Sequence, residues 1–259
     1  MKIAHYSDTH CEFPHNWTIP ANLDADVVAL AGDITTFERV DRLSLMLQHW
    51  DGPVVYAVGN HEYYGGAPMS EGMKAFRIEM AKALPNVHIL DNESVVIDGI
   101  AFFGGTMWTD LTEISDRHKR IIELGLADFS RVHDDDGKLL TTKTFVKLHS
   151  IFRTGLIAWL KETSGPKVIV THHAPVTDPS TRFWNSPLNP AFCCTDMAEV
   201  ICDYEPDFWI YGHTHEIGDW AIGKTRLVSN PLGYRYGGEF EVKGFDPYGR
   251  IFEIDRAER

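Results

Sequence analysis

Short apolar runs alternate with stretches of helical periodicity along the first third of the chain. The runs Ile3–Tyr6, Val27–Ala31 and Val54–Val58 are largely apolar, which indicates strands buried on both faces of a sheet. Apolar residues at intervals of three and four predict amphipathic helices at 37–50 and 73–84. This β-α-β-α order is typical of a largely parallel sheet covered by helices.

The rest of the chain predicts more strands and helices in a less regular order. Strands are predicted at 87–90, 94–97, 100–104, 167–171, 208–211, 220–222, 225–229 and 252–254. Asp98-Gly99 and Gly223-Lys224 lie between apolar runs and predict hairpins. Helices are predicted at 113–126, 142–163 and from Thr195 or Asp196 to about Tyr204.

Length and composition indicate an ordinary globular protein. The chain has 259 residues with no repeat or evident linker, so we expect a single domain over 1–259. No apolar run approaches the roughly 20 residues of a membrane helix, and the N-terminus lacks a signal-peptide pattern. We therefore expect a cytoplasmic protein without a membrane partner. The net charge of −13 argues against broad nucleic-acid binding. The oligomeric state is left open.

Polar residues stand directly after five of the predicted strands. They are Asp8 and His10, Asp33, Asn60 and His61, His172, and His213 with His215. Ligands bind outside the carboxyl ends of the strands in an open parallel sheet, so we expect these side chains to converge. A glycine precedes Asp33, Asn60 and His213, which permits sharp turns and close backbone approach.

The chemistry of these side chains indicates a metal site. Seven of these eight side chains, with oxygen or nitrogen donors, suffice for two divalent cations with open positions for water and substrate. Mixed imidazole and carboxylate ligands suit manganese, iron, zinc or nickel better than calcium. Two such cations against two ligand carboxylates leave a local charge of about +2, which attracts phosphate despite the acidic surface.

Five segments resemble, in order, the signature of the calcineurin-like metallophosphoesterases. They are Asp8-Thr9-His10, Gly32-Asp33, Gly59-Asn60-His61-Glu62, His172-His173 and Gly212-His213-Thr214-His215. The resemblance covers most of the chain. It implies an α/β fold in the form of a four-layer α/β/β/α sandwich, with two facing mixed sheets flanked by helices and a two-metal site at one end.

The resemblance also implies a role for each residue. Asp8, His10 and His215 would hold one metal, Asn60, His172 and His213 the other, and Asp33 would bridge both. The function implied is a dinuclear-metal-dependent phosphomonoesterase or phosphodiesterase, with a hydroxide shared by the metals as nucleophile. His61 would protonate the leaving group or stabilise charge on the phosphate. Glu62 would orient His61.

Two other functions are compatible with the same residues. One is a nuclease of the same chemistry, which the acidic balance disfavours. The other is a non-catalytic metal-binding scaffold, which the complete ligand set disfavours. Loops that follow a ligand often carry specificity, so Arg182 and Asn189 in the loop 174–192 are candidate contacts to a phosphate-ester substrate.

Overall fold

The computed structural model describes residues 1–111, 114–177 and 185–255. The strands are β1 Lys2–Tyr6, β2 Val27–Ala31, β3 Val54–Ala57, β4 Val87–Leu90, β5 Glu93–Ile97, β6 Ile100–Gly105, β7 Lys167–Thr171, β8 Phe208–Ile210, β9 Gly218–Ile222, β10 Thr225–Ser229, β11 Arg235–Tyr236, β12 Glu239–Phe240 and β13 Phe252–Glu253. The helices are α1 Val40–Met46, α2 Met69–Ala83, α3 Asp116–Gly125, α4 Asp128–Arg131, α5 Thr142–Glu162, α6 Asn189–Phe192 and α7 Met197–Tyr204, with a 3₁₀ turn at His61–Tyr63.

The strands form two mixed sheets and a small hairpin. The first sheet has the order β13-β1-β2-β3-β4, in which β1 to β4 are parallel and β13 is antiparallel to β1. The second has the order β5-β6-β7-β8-β10-β9, with parallel strands inside and antiparallel strands at both edges. β11 and β12 pair only with each other in the described chain.

The inner faces of the two sheets pack against each other. Val27 and Ala29 of β2 meet Phe102 of β6 and Val168 of β7 in one buried cluster. The alternate residues of β2, such as Leu30, point the other way and join a separate cluster. Strand β2 is apolar throughout because both of its faces are buried.

Helices cover the outer faces of both sheets. Leu43 of α1 and Phe76 of α2 pack with Leu30 over the first sheet. Phe152 of α5 and Val200 of α7 pack in the cluster over the second sheet. The predicted four-layer α/β/β/α sandwich is therefore confirmed. No helix in the described ranges is long and apolar enough to cross a membrane.

Some elements differ from the sequence prediction and others confirm it. Helix α1 has only seven residues, shorter than the predicted 37–50. Asp98-Gly99 joins β5 to β6 and Gly223-Lys224 joins β9 to β10, so both predicted hairpins are confirmed. The hairpin of β11 and β12 was not predicted, because each strand is only two residues long and carries no alternating pattern.

His5 in β1 is a buried imidazole among apolar neighbours. Its ring lies 5.7 Å from the ring of Phe252, and neither ring nitrogen has a hydrogen-bond partner among the described residues. Burial lowers the pKa of His5 to about 3. The folded state therefore keeps this side chain neutral under mildly acidic conditions.

We expect His5 to make the fold sensitive to acid. Below a pH of about 6.5 the unfolded chain protonates His5 and the folded chain does not, so the free energy of unfolding falls as the pH falls. Between about pH 6.5 and pH 4.5 this loss is roughly 2–3 kcal/mol, and His5→Leu should remove it. Urea denaturation at both pH values, with a chelator present, measures it. The exposed His49→Leu is the control, and an unchanged acid loss in His5→Leu would contradict the assignment.

Candidate metal centre

The carboxyl ends of strands from both sheets meet at one edge of the sandwich. Asp8 follows β1, and both of its carboxylate oxygens accept the backbone N–H of His213, at 3.0 and 3.1 Å. The N–H of Gly212 donates to the carbonyl of His172 across 2.9 Å. These bonds fix the loop after β8 against the loops after β1 and β7.

The first group of donor atoms comes from Asp8, His10 and His215, which lie within 4.8 Å of one another. His10 Nε2 is 3.1 Å from His215 Nε2, which is 3.4 Å from Asp8 Oδ1. The other ring nitrogens face carboxylates, since His10 Nδ1 is 3.1 Å from Glu12 and His215 Nδ1 is 2.7 Å from Glu241. A carboxylate holds the imidazole proton on its own side, so the Nε2 lone pairs point inward.

The second group consists of Asp33, His172 and His213, with the amide of Asn60 beside it. His172 Nε2 lies 2.9 Å from Asn60 Oδ1 and 3.0 Å from His213 Nδ1. His172 Nδ1 is 3.0 Å from the carbonyl of Ala31, which fixes the ring orientation. The Nε2 atom is thereby aimed at the other donors.

Asp33 lies between the two groups. Its Oδ1 is 3.2 Å from His172 Nε2, and its Oδ2 is 4.0 Å from His10 Nε2. Burial opposes ionisation, but His172 and His61 outweigh it and hold the pKa of Asp33 well below its usual range. One ionised carboxylate therefore presents a separate oxygen to each group.

The donor set fits divalent cations. Imidazole lone pairs that face each other at 3.0–3.1 Å repel unless a proton or a cation lies between them. Burial lowers the pKa of His172, yet Asp33 and Asp8 raise it to about 9, so these two carboxylates favour a positive charge beside this ring. Imidazole, carboxylate and amide oxygen together suit manganese, iron, zinc or nickel.

The backbone at these positions is strained. Left-handed backbone occurs at Asp8, His10, Asp33, His213 and His215, with φ of 50°, 46°, 53°, 67° and 52°. Such conformations cost about 1–3 kcal/mol each in residues other than glycine and persist only where the surroundings determine them. Five of the twelve described residues other than glycine with such a backbone are therefore candidate ligands.

Two glycines allow the loops to approach the carboxylates. A Cβ atom at Gly59 would lie 2.2 Å from Asp33 Oδ1, and one at Gly212 would lie 2.6 Å from Asp8 Oδ2. Neither carboxylate could keep its position beside a larger residue. Glycine before Asn60 and before His213 is therefore required by close approach, as the sequence indicated.

Glu12, and not Glu62, contacts His61. Glu12 Oε1 is 3.0 Å from His61 Nδ1 and also 3.1 Å from His10 Nδ1. On the other side of the ring, the hydroxyl of Tyr234 is 3.1 Å from His61 Nε2. The sequence did not indicate Glu12 or Tyr234, because each lies in a loop whose position depends on the tertiary fold.

Glu62 supports the loop that carries Asp33. Its fully buried carboxylate accepts hydrogen bonds from the backbone N–H groups of Asp33, Ile34 and Gly59 and from the Tyr56 hydroxyl. Burial and the nearby Asp33 raise the pKa of Glu62 to about 7. The expected contact with His61 is thus replaced by contacts that hold the loops after β2 and β3.

Asp128 of α4 orients Asn60. The Asn60 amide donates to Asp128 Oδ1 at 2.7 Å and to the hydroxyl of Tyr64 at 3.0 Å. Tyr64 itself donates to Asp128 at 2.7 Å. Because the amide nitrogen donates to these two oxygens, the amide oxygen points toward His172. Asp128 was missed because nothing in the local sequence relates α4 to the strand ends.

A cavity of about 240 Å³ opens onto these groups and is lined by Asp33, His61 and Tyr234 among others. Asn189 does not line it, and its amide donates to Thr177 at 3.2 Å. Arg182 lies outside the described residues. The structure thus brings the seven predicted ligands and His61 together, and it places Asn189 elsewhere.

Most of the chain matches the model of one protein family. The family model for calcineurin-like phosphoesterases matches residues 1–216. The chain belongs to the calcineurin-like phosphoesterase family. This match confirms the resemblance of the ordered segments to this family, which is a class of metallophosphoesterase hydrolases.

The individual relatives share a low sequence identity with this chain. An uncharacterized protein of Acanthamoeba polyphaga mimivirus, L509, is 28% identical over 252 residues, covering 90% of this chain and 85% of its own. The crystal structure of phosphopantetheinyl hydrolase (PptH) from Mycobacterium tuberculosis is similar with a TM-score of 0.64 at 18% identity, covering 90% of this chain and 89% of that one. The protein TT1561 of Thermus thermophilus has a TM-score of 0.54 at 12% identity, covering 89% and 88%. The structural likenesses show the fold alone.

We expect Glu62→Ala to destabilise the protein. Its loss leaves the buried N–H groups of Asp33, Ile34 and Gly59 without an acceptor, which should lower the free energy of unfolding by about 3 kcal/mol or more. Chemical denaturation of metal-free protein measures the change. Glu79→Ala removes an exposed carboxylate paired with Lys82 and should cost less than about 1 kcal/mol. Equal effects of the two substitutions would contradict the structural role of Glu62.

Proposed function

We propose that the chain hydrolyses phosphate esters with two bound metal ions. The proposed ligands are Asp8, His10 and His215 for one ion, Asn60, His172 and His213 for the other, and Asp33 for both. The observation that carries the proposal is the position of Asp33, with one carboxylate oxygen toward each donor group at the floor of an open cavity. Metal ions bound there would supply Lewis-acid activation of water and of phosphate oxygens.

His61 is the proposed proton donor to the leaving group. Burial lowers the pKa of its imidazole, but Asp33 and Glu12 outweigh burial and raise that pKa, which favours the protonated ring. Glu12 holds Nδ1, which leaves Nε2 directed toward the cavity and toward the hydroxyl of Tyr234. A proton held at Nε2 can pass to the oxygen that departs from phosphorus.

The same geometry favours an enzyme over the two alternative functions. A non-catalytic scaffold does not require a histidine that Glu12 and Tyr234 hold in position beside the donor groups. A nuclease would need a basic surface that follows the nucleic-acid backbone, whereas this chain carries a net charge of −13. We therefore propose a small or medium phosphate ester as substrate.

Metal analysis combined with hydrolysis assays tests the proposal. Purified protein supplied in turn with manganese, iron, zinc or nickel should bind close to two metal ions per chain. It should then hydrolyse p-nitrophenyl phosphate or bis(p-nitrophenyl) phosphate, and the ratio of the two rates distinguishes monoesterase from diesterase. A chain that binds no metal and gains no activity from any of these ions would overturn the proposal.

His61→Ala should keep its metals and lose turnover. Removing a general acid typically lowers kcat by about 10²–10⁴. Metal content by mass spectrometry and kcat with p-nitrophenyl phosphate measure the two effects separately. His88→Ala, an exposed histidine on β4, is the control. Unchanged turnover in His61→Ala would remove this residue from the mechanism.

Asp33→Asn should weaken the binding of both metals. An asparagine amide is neutral and offers one oxygen, so it cannot present an anionic oxygen to each donor group. Titration with manganese under competition from a chelator should show lower affinity at both sites. Asp24→Asn, which changes a carboxylate paired with Lys2 at the surface, is the control. Two sites of unchanged affinity in Asp33→Asn would refute the bridging role.

A further inference from the structure

A second and larger cavity, of about 620 Å³, adjoins the metal cavity. We call it the leaving-group groove, and its lining includes Phe13, Pro14, Arg131, Arg235 and Gly238. Both cavities are lined by His61, Tyr64, Ala127, Tyr234 and Tyr236. Since His61 lies at the junction and is the proposed donor to the departing oxygen, the groove lies on the leaving-group side.

The two cavities differ in charge. Acidic side chains in the lining of the metal cavity are Asp33, Asp128 and Glu241. Among the described residues that line the groove none is acidic, and its permanent charges are those of Arg131 and Arg235. In a chain of net charge −13, two arginines beside the metal centre form a local site for an anion.

The groove is also aromatic. Tyr236 is 65% exposed and its ring centroid lies 6.1 Å from that of Tyr234 at 68°. The guanidinium of Arg131 lies over the ring of Tyr64, 5.4 Å from its centroid. Phe13 at the rim is 45% exposed. Exposed aromatic rings next to arginines form a platform on which a flat base can stack while the guanidinium groups hold a phosphate.

We propose that this groove binds a nucleoside monophosphate unit as the leaving group. The substrate class is then a nucleoside diphosphate or a related phosphoanhydride. The inference rests on the proposed phosphoesterase function and extends its chemistry from an ester bond to an anhydride bond. In the reaction, water adds to the terminal phosphorus and the bond from that phosphorus to the bridging oxygen breaks. The bridging oxygen leaves on the nucleoside monophosphate with the proton that His61 donates. Inorganic phosphate keeps the oxygen of the attacking water and is the second product, and the proton that this water loses is released to solvent.

Three substrates separate the parts of this proposal. ADP carries the base and the second phosphate, pyrophosphate carries only the second phosphate, and p-nitrophenyl phosphate lacks the second phosphate. Metal-loaded wild-type protein should have a higher kcat/KM for ADP than for pyrophosphate. Hydrolysis of p-nitrophenyl phosphate without this preference for ADP would overturn the inference and leave the proposed function intact. No hydrolysis of any of the three, nor of bis(p-nitrophenyl) phosphate, would overturn both.

Tyr236→Ala tests the stacking of the base. The ratio of kcat/KM for ADP to that for pyrophosphate should fall about tenfold, the usual effect of one lost stacking partner. Tyr236→Phe keeps the ring and should restore the ratio. Tyr248→Ala removes a tyrosine that is 47% exposed outside the groove and should leave the ratio unchanged. A ratio in Tyr236→Ala equal to that of wild type would contradict stacking on this ring.

Arg131→Ala tests the anion site. The ratio of kcat/KM for pyrophosphate to that for p-nitrophenyl phosphate should fall about tenfold, because only pyrophosphate has a second anionic group. Arg120→Ala, an exposed arginine of α3 outside the groove, is the matched control. A fall of the same size in both arginine variants, or in neither, would contradict the site.

Calorimetry provides a readout that does not depend on turnover. AMP is titrated into the full chain in the presence of a chelator, so that bound metals cannot hold its phosphate. Wild-type protein should bind AMP, while Tyr236→Ala and Arg131→Ala should each weaken binding about tenfold. Circular dichroism verifies that each variant is folded. Equal affinity of AMP for wild type and both variants would refute the groove as a nucleotide site.

Discussion

A hydrogen bond between a carboxylate and a backbone amide joins the two sheets at the site. Asp8 follows the first sheet, His213 follows the second, and the carboxylate of Asp8 accepts the N–H of His213 in a fully buried position. His172 Nδ1 reaches the carbonyl of Ala31 in the same way, from the second sheet to the first. The distances between donor atoms therefore follow from the packing of one sheet on the other. A shift of one sheet against the other would displace the candidate ligands that follow the first sheet relative to those that follow the second.

The candidate site contains conformations and contacts that destabilise the folded chain, and the surrounding fold stabilises it. Left-handed backbone at Asp8 and Asp33, ionised carboxylates away from water and imidazole lone pairs in contact all oppose folding in the absence of a cation. They persist because the inner core between the sheets and the buried carboxylate of Glu62 determine the loop positions independently. The geometry of the candidate site is thus maintained by residues that have no part in the proposed chemistry.

Residues on buried strands, and those directly after them, were predicted well from the sequence. Residues that reach the site from longer loops or short helices were not. The bounds of β2 and β7 agree with the prediction because such strands are continuous apolar runs, and the candidate ligands follow those runs directly. Glu12 and Asp128 were missed because they reach the site through a loop and a short helix. Glu62 was assigned to His61 by adjacency, but consecutive residues of a 3₁₀ turn diverge by about 120° around its axis. His61 therefore faces the cavity while Glu62 faces the loop after β2.

The segment from Tyr234 to Glu241 has fixed ends and an exposed middle. Tyr234 contacts His61, Glu241 contacts His215, and the backbone N–H of Glu241 donates to the carbonyl of Tyr234 at 2.8 Å. The intervening tip, with Tyr236 exposed, projects into solvent beside the groove. The tip can therefore change in length and in residue type while Tyr234 and Glu241 keep their contacts. Selection can thus act on the groove through the tip without moving the candidate metal ligands.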